Sequence, residues 1–347
     1  MSKKGLILAV GILALSLLVT ACGSTTTTPP ATTSAVKLDP KVVFGPLGDM
    51  PIPVDNPMTP EKIELGKMLY FDKRLSGDDT ISCASCHEPA KGWSDNRRTF
   101  LGFQGHQGHR NSPTIINAGY LSSQFWDGRA MTLEEQALGP IQSEVEMNLP
   151  LDQLVAKLSA IPEYVERFEQ VFGPDSITPE NVAKAIAAFE RTVVINDSAF
   201  DKYLAGDDAA LSAEAKRGLD LFVGKAGCVN CHNGPSLTDN NFYNVGIVND
   251  PSIDRGRAEF TGNPEDTDKF KTPALRGIGH TAPYMHDGSL KTLEEVVDFF
   301  NNGGGEHPNK SPLLQPLNLT DQEKADLVAF LESLSGTLPI VEEPALP

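Results

Sequence analysis

Apolar residues recur at three- and four-residue spacing through most periodic stretches of this chain. The segments Leu151 to Leu158 and Val182 to Phe189 show it most clearly, and each predicts a helix with one buried face. Thr320 with Glu323 forms a capping box ahead of Leu327, Val328, Phe330 and Leu331, which predicts a further helix near the C-terminus. Glu61 to Phe71 (EKIELGKMLYF) and Glu214 to Phe222 (EAKRGLDLF) read as helical too. No stretch alternates convincingly enough to be a sheet, so the pattern predicts an all-α fold.

The first apolar run differs from these. Lys3 and Lys4 precede an apolar stretch from Leu6 to Val19, and small residues then lead to Cys22, the order of a secretory signal over residues 1–21. The string Leu18-Val19-Thr20-Ala21-Cys22-Gly23-Ser24 resembles a bacterial lipobox, in which the Cys is lipidated and becomes the first mature residue. A plain cleaved signal or a retained single span is the alternative, although the run is shorter than the roughly 20 residues a span prefers. Residues 22–38 then read as a Thr/Pro-rich tether, too poor in large side chains to pack. These features predict a periplasmic protein held to a bacterial membrane by the acyl chains on Cys22 alone.

The remainder repeats itself. Pro113 to Ala137 aligns without a gap on Pro273 to Val297 at an offset of 160, and Pro113, Gly119, Asp127, Gly128, Thr132, Leu133, Glu134 and Glu135 all recur. Two Cys-x-x-Cys-His strings, Cys83 to His87 and Cys228 to His232, recur at an offset of 145, each after a helical stretch. The order helix, Cys-x-x-Cys-His, loop, Asp-Gly, Thr-Leu-Glu-Glu helix therefore occurs twice. It predicts two helical domains related by internal duplication, 39–203 and 204–347, divided where Gly206-Asp207-Asp208 interrupts the pattern.

Composition narrows the chemistry. With 29 Lys plus Arg against 46 Asp plus Glu the formal charge is -17, which disfavours nucleic-acid binding and favours a basic partner. Removing Lys3 and Lys4 makes it -19 (-17 minus 2). Four of the five cysteines lie in the two strings and the fifth is Cys22, so no disulfide pair is left over.

A Cys-x-x-Cys-His string places two thiols where they can form thioethers to haem vinyl groups and the adjacent His where its imidazole can bind iron. Zinc would need four ligands per site, and a thioredoxin-like pair would want a preceding strand and no His. The expected cofactors are two covalently bound haem c groups, on Cys83, Cys86 and His87 and on Cys228, Cys231 and His232. On the other face of the second haem, Tyr284 and Met285 are both candidate iron ligands, since a thioether there would raise the potential and close the iron to substrate. The aligned first-half residues Gln124, Phe125 and Trp126 include no good iron ligand, which makes the first haem the candidate reactive site.

At these residues the chain resembles the bacterial dihaem cytochrome c peroxidases and MauG-type enzymes over nearly all of residues 40–347. The collinear motifs are ISCASCH, RNSPTIINA (Arg110 to Ala118), QFWDGRA (Gln124 to Ala130), LEEQALGP (Leu133 to Pro140), EVEM (Glu144 to Met147), CVNCH and APYMHDG (Ala282 to Gly288). The resemblance implies two cytochrome-c-like domains, the N-terminal one peroxidatic and the C-terminal one for electron transfer. It implies Trp126 between the haems, Gln136 and Glu146 as the peroxide-handling pair, Pro140 in the same pocket, and Asn111 as a ligand to calcium between the domains. The displaceable His of peroxidases that need reductive activation has Phe103 as its gap-free counterpart, with His106 and His109 nearby. The family's Met ligand aligns with Ala282 and MauG-type enzymes use a Tyr, so the subfamily stays open.

The implied activity is reduction of hydrogen peroxide to water, Glu146 moving the proton between the two oxygens and Gln136 orienting the peroxide. The electrons would come from a small donor protein such as a cytochrome c, and a homodimer is also envisaged. Two other readings remain: MauG-like oxidation of side chains on a partner protein, and a dihaem electron carrier without peroxidase turnover.

Overall fold

The computed structural model describes residues 38–347 apart from 248, 249 and 251. The expected signal, Cys22 and nearly all of the tether lie outside the described residues. From Leu38 onward the chain forms one compact unit, and no helix among the described residues is long and apolar enough to cross a membrane.

Each half is organised by a pair of crossing helices. In the first, Pro60–Phe71 packs on Pro179–Glu190; in the second, Ala213–Val223 packs on Asp321–Glu332. Pro60 and Pro179 sit in the first turn of their helices, where the missing N–H is not needed, and Thr59 and Thr178 cap them with their hydroxyls. Thr320 and Glu323 form the expected capping box. The crossings are close because a glycine stands at each: a Cβ on Gly66 would overlap the carbonyl oxygen of Ala185, and one on Gly218 that of Asp326.

Around these pairs lie two apolar cores. The first joins Tyr70, Phe71, Trp93 and Phe189 with the helices Leu133–Gln142, Leu151–Ser159 and Pro162–Phe172. Tyr70 meets Phe189 edge-on at 5.1 Å between ring centres and Trp93 at 5.9 Å. Such pairs add about 0.5–1.5 kcal/mol beyond burial. The second core sets Phe222 and Phe200 edge-on to Phe330 at 5.0 and 5.3 Å between ring centres, with the helix Leu293–Asn301 beside them.

The duplication extends to backbone detail. Gln124 bridges Ala130 and Tyr284 bridges Leu290, each as an isolated antiparallel pair 160 residues from its counterpart. Phe125 and Met285 share a left-handed φ, 65° and 73°, as do Asn117 and Gly277 at 59° and 77°. Thr132 and Thr292 cap equivalent helices, while Glu135 and Glu295 reach back to the N–H groups of Met131 and Lys291.

Two features depart from the sequence pattern. Phe242–Tyr243 pairs antiparallel with Phe270–Lys271, a ladder of two residues a side, too short to leave an alternating signature. The chain ends also cross between cores. Phe44 and the helix Ala199–Leu204 pack into the second core, whereas Leu338 and Val341 pack on the first and the Trp93 indole donates to the Pro339 carbonyl at 2.8 Å.

Candidate active site

Each Cys-x-x-Cys-His string folds as one tight turn. Cys83–Cys86 is a single helical turn capped by Ser82 with Ser85, and the His87 N–H closes it on the Cys83 carbonyl at 2.9 Å. In the second half Cys228–Asn230 is a 3-10 turn, and the His232 N–H bonds the Cys228 carbonyl at 2.8 Å. In this way both thiols and the imidazole line one cavity in each half. The first measures about 560 Å³ and the second about 310 Å³, volumes in the range of cofactor sites.

The donor chemistry fits haem. Burial lowers both histidines, His87 to about 4, so each imidazole is neutral near pH 7 and has a lone pair for iron. His232 Nδ1 is paired with the Leu237 carbonyl at 3.0 Å, which leaves Nε2 for a metal. His87 Nδ1 has no hydrogen-bond partner among the described residues, while the Tyr70 hydroxyl fixes the His87 carbonyl at 2.9 Å. Burial also raises the thiols, Cys86 and Cys228 to about 12, suiting thioether formation better than thiolate ligation. No group of three His, Cys, Asp or Glu that could hold a metal occurs among the described residues. In the second cavity Arg276 spends Nε on the Pro235 carbonyl and Nη1 on Asp201, leaving Nη2 buried and unpaired. A haem carboxylate would satisfy it.

The first cavity brings together Gln136, Pro140, Glu146 and Trp126 with Cys83, Cys86 and His87. Gln136 and Pro140 come from the helix Leu133–Gln142, and Glu146 from the loop after it. The Phe103 N–H fixes that loop by bonding the Glu146 carbonyl at 2.8 Å. Burial pushes the Glu146 carboxyl up, opposed by Arg129, the Ser143 hydroxyl and Arg110. His106 and His109 line the rim of this cavity and are exposed, on a hairpin where Leu101 bridges Gln107.

Trp126 lines both cavities, as do Asn111, Gln124 and Phe125. Its indole N–H donates to the Asn111 carbonyl at 2.9 Å, and its own carbonyl accepts from the Lys271 N–H at 2.8 Å, which pins the ring between the halves. The Asn111 N–H meets the His286 carbonyl at 2.7 Å, and its amide Nδ2 donates to Arg97. His286 stacks on Phe270 at 3.6 Å and faces Trp126 edge-on at 6.5 Å.

Tyr284 and Met285 both line the second cavity, together with Phe300. The Tyr284 hydroxyl donates to the Ile278 carbonyl at 3.1 Å, and burial pushes its phenol up to about 12.

Other lining groups escaped sequence reasoning. Glu190 lines the first cavity fully buried, pushed up to about 8 by burial, with Oε2 unpaired. Val182, Ile186 and Glu190 lie at four-residue spacing on one helix face, the signal that could have found it. Lys271 lines the second cavity, lowered to about 8 by burial, its amine donating to the Ser123 carbonyl. Arg110 joins Asp127 at 2.6 Å, Asp254 at 2.8 and 2.7 Å and Glu259 at 3.3 Å, partners far off in sequence.

Two helical halves, each closing a Cys-x-x-Cys-His turn over its own cavity, define a dihaem c-type protein. The family model for di-haem cytochrome c peroxidase matches residues 60–209, and that for cytochrome c matches 215–335. Over 336 residues the chain is 44% identical to cytochrome-c peroxidase IdrP1 of Denitromonas iodatirespirans, covering 88% of this chain and 89% of that protein. It is 41% identical to the methylamine utilization protein MauG of Methylorubrum extorquens, covering 86% and 85%. A crystal structure of a MauG-like protein associated with microbial copper homeostasis superposes with a TM-score of 0.77 at 37% identity, covering 83% of this chain and 93% of that one. The chain belongs to the dihaem cytochrome c peroxidase family and is an oxidoreductase acting on peroxide.

Proposed function

We propose that this enzyme reduces hydrogen peroxide to water in the first cavity, with electrons entering through the second from a small redox protein such as a cytochrome c. One observation carries this reading: Glu146 and Gln136 face the cavity of Cys83, Cys86 and His87, and Trp126 is shared with the cavity of Cys228, Cys231 and His232. Haem, which Cys83, Cys86, Cys228 and Cys231 would hold through thioethers with His87 and His232 as iron ligands, would supply the redox chemistry. Gln136 orients the peroxide through its amide. Glu146 takes a proton from one peroxide oxygen and returns it to the other as the bond between them breaks, releasing one water; two protons from solvent and two electrons turn the remaining oxygen into the second. Trp126 stands on the route between the halves.

The Tyr284 hydroxyl is engaged with Ile278, so of the two Met285 is the better candidate to hold the iron of a haem in the second cavity. A calcium ion at the Asn111 amide oxygen would complete its shell from backbone carbonyls and water. Lipidation at Cys22 would hold the enzyme on the periplasmic face of a membrane; Cys22→Ser should then move it out of the membrane fraction or stop its processing.

Anaerobic turnover with hydrogen peroxide and a reduced small cytochrome should oxidise two cytochromes per peroxide. No oxidation with both haems in place would favour the carrier reading. Similarity to MauG at 41% keeps side-chain oxidation of a partner protein as a second reading, and oxidised residues on that partner instead of oxidised cytochrome would support it.

A further inference from the structure

Three exposed apolar side chains stand at the mouth of the first cavity. Inside are Glu146 and Gln136; at the opening, Val145, Ile253 and Phe260 line the cavity while staying 38%, 50% and 54% exposed, beside the exposed His106, His109 and Arg129. Val145 precedes Glu146, whereas Ile253 and Phe260 come from the second half. Ion pairs hold that segment in place. Arg110 binds Asp254 through two nitrogens at 2.8 and 2.7 Å, and Arg257 donates to the Asp127 carbonyl at 2.8 Å. The Arg257 guanidinium also lies 6.0 Å from the Phe260 ring.

Large apolar side chains fixed in water around a single opening are unfavourable unless apolar matter covers them. Hydrogen peroxide is too small and too polar to do so. The polar pair Glu146 and Gln136 with the apolar group Val145, Ile253 and Phe260 at the opening matches a molecule with a peroxide head and a hydrocarbon tail. We propose that the first cavity accepts organic hydroperoxides, ROOH, with the peroxide group at Glu146 and Gln136 and the R group against Phe260, Ile253 and Val145. The proposal rests on the peroxidase reading and extends its substrate class. The balance is ROOH plus two electrons plus two protons giving ROH and water. The O–O bond breaks as Glu146 moves the hydroperoxide proton to the RO oxygen to give ROH; the electrons come from the reduced protein, and solvent supplies the two protons that turn the other oxygen into water. A protein partner fits the mouth less well, because three side chains are few beside the roughly 20–30 residues a side of a stable interface.

The test uses the holoprotein with both haems reduced, mixed anaerobically with hydrogen peroxide or with cumene hydroperoxide while haem oxidation is followed. This needs no donor protein. Wild type should be oxidised by both peroxides, with second-order rate constants within about tenfold of each other. The double variant Phe260→Ser with Ile253→Ser should lower the ratio of the cumene to the hydrogen peroxide constant by about tenfold or more, and Phe260→Leu should largely keep it. Oxidation by hydrogen peroxide with none by cumene hydroperoxide, or a ratio the double variant does not change, would overturn the proposal and leave the peroxidase reading standing. Oxidation by neither would overturn both.

Discussion

Glu190 is a carboxyl placed where water cannot reach it. Its ordinary value is about 4.3, and burial raises it to about 8 in the folded protein, so the folded state holds the proton more tightly than the unfolded one. Its contribution is fully present below about 4.3 and is lost as pH rises toward 8. Glu190→Gln has no proton to lose, so its melting temperature should gain on wild type progressively across that window. Thermal unfolding of both holoproteins at a series of pH values measures this, and a difference that stays constant with pH would refute it. Tyr284 poses a question of ligation instead. Because its hydroxyl donates to the Ile278 carbonyl, Tyr284→Phe should leave the oxidised electronic spectrum of the second haem unchanged, whereas Met285→Ala should alter it. A change with Tyr284→Phe would make the phenol the ligand.

The two helix crossings rest on a pair of glycines. Neither Gly66 nor Gly218 has a left-handed φ, and what each supplies is room, since a methyl group would strike backbone on the facing helix. Overpacking of this kind costs about 1–3 kcal/mol. Gly66→Ala and Gly218→Ala should each lower the denaturation midpoint accordingly, whereas Ala209→Gly in the exposed 205–209 connection should change it little; equal effects of all three would show that the crossings are not tight. Much at this level was legible beforehand. The helices Leu151–Ser159, Pro179–Glu190 and Asp321–Glu332 follow from apolar spacing and caps, and the 160-residue repeat extends to paired left-handed residues at Phe125 and Met285. The ladder at Phe242 and Phe270 was not, because two residues a side carry no period. Nor was the exchange of chain ends, since apolar residues such as Phe44 and Leu338 reveal that they bury but not against which half.

The two halves work as one molecule because side chains of each complete the surroundings of the other. Lys271 of the second half meets Ser123 and Trp126 of the first, and Arg110 reaches Asp254 and Glu259. The Cys-x-x-Cys-His residues and the cavity grouping of Glu146, Gln136 and Trp126 could be read from local motifs and family resemblance. The contributions of Arg110, Lys271, Ile253 and Phe260 could not, since they depend on contacts between segments more than 100 residues apart.

Glu146 carries the central assignment, and its Gln variant is the direct test. In rapid mixing of the fully reduced holoprotein with hydrogen peroxide, one peroxide should oxidise both haems of the wild type. Only the ionised carboxylate accepts a proton, and burial raises the Glu146 carboxyl, so the wild-type rate should fall on acidification with a midpoint above the usual carboxylate value of about 4.3. Glu146→Gln should be slower by about 10² to 10⁴ and lose that pH dependence, with both haems still bound. A Glu146→Gln protein that keeps the wild-type rate and pH profile would contradict proton transfer by Glu146 and return the site of peroxide chemistry to an open question.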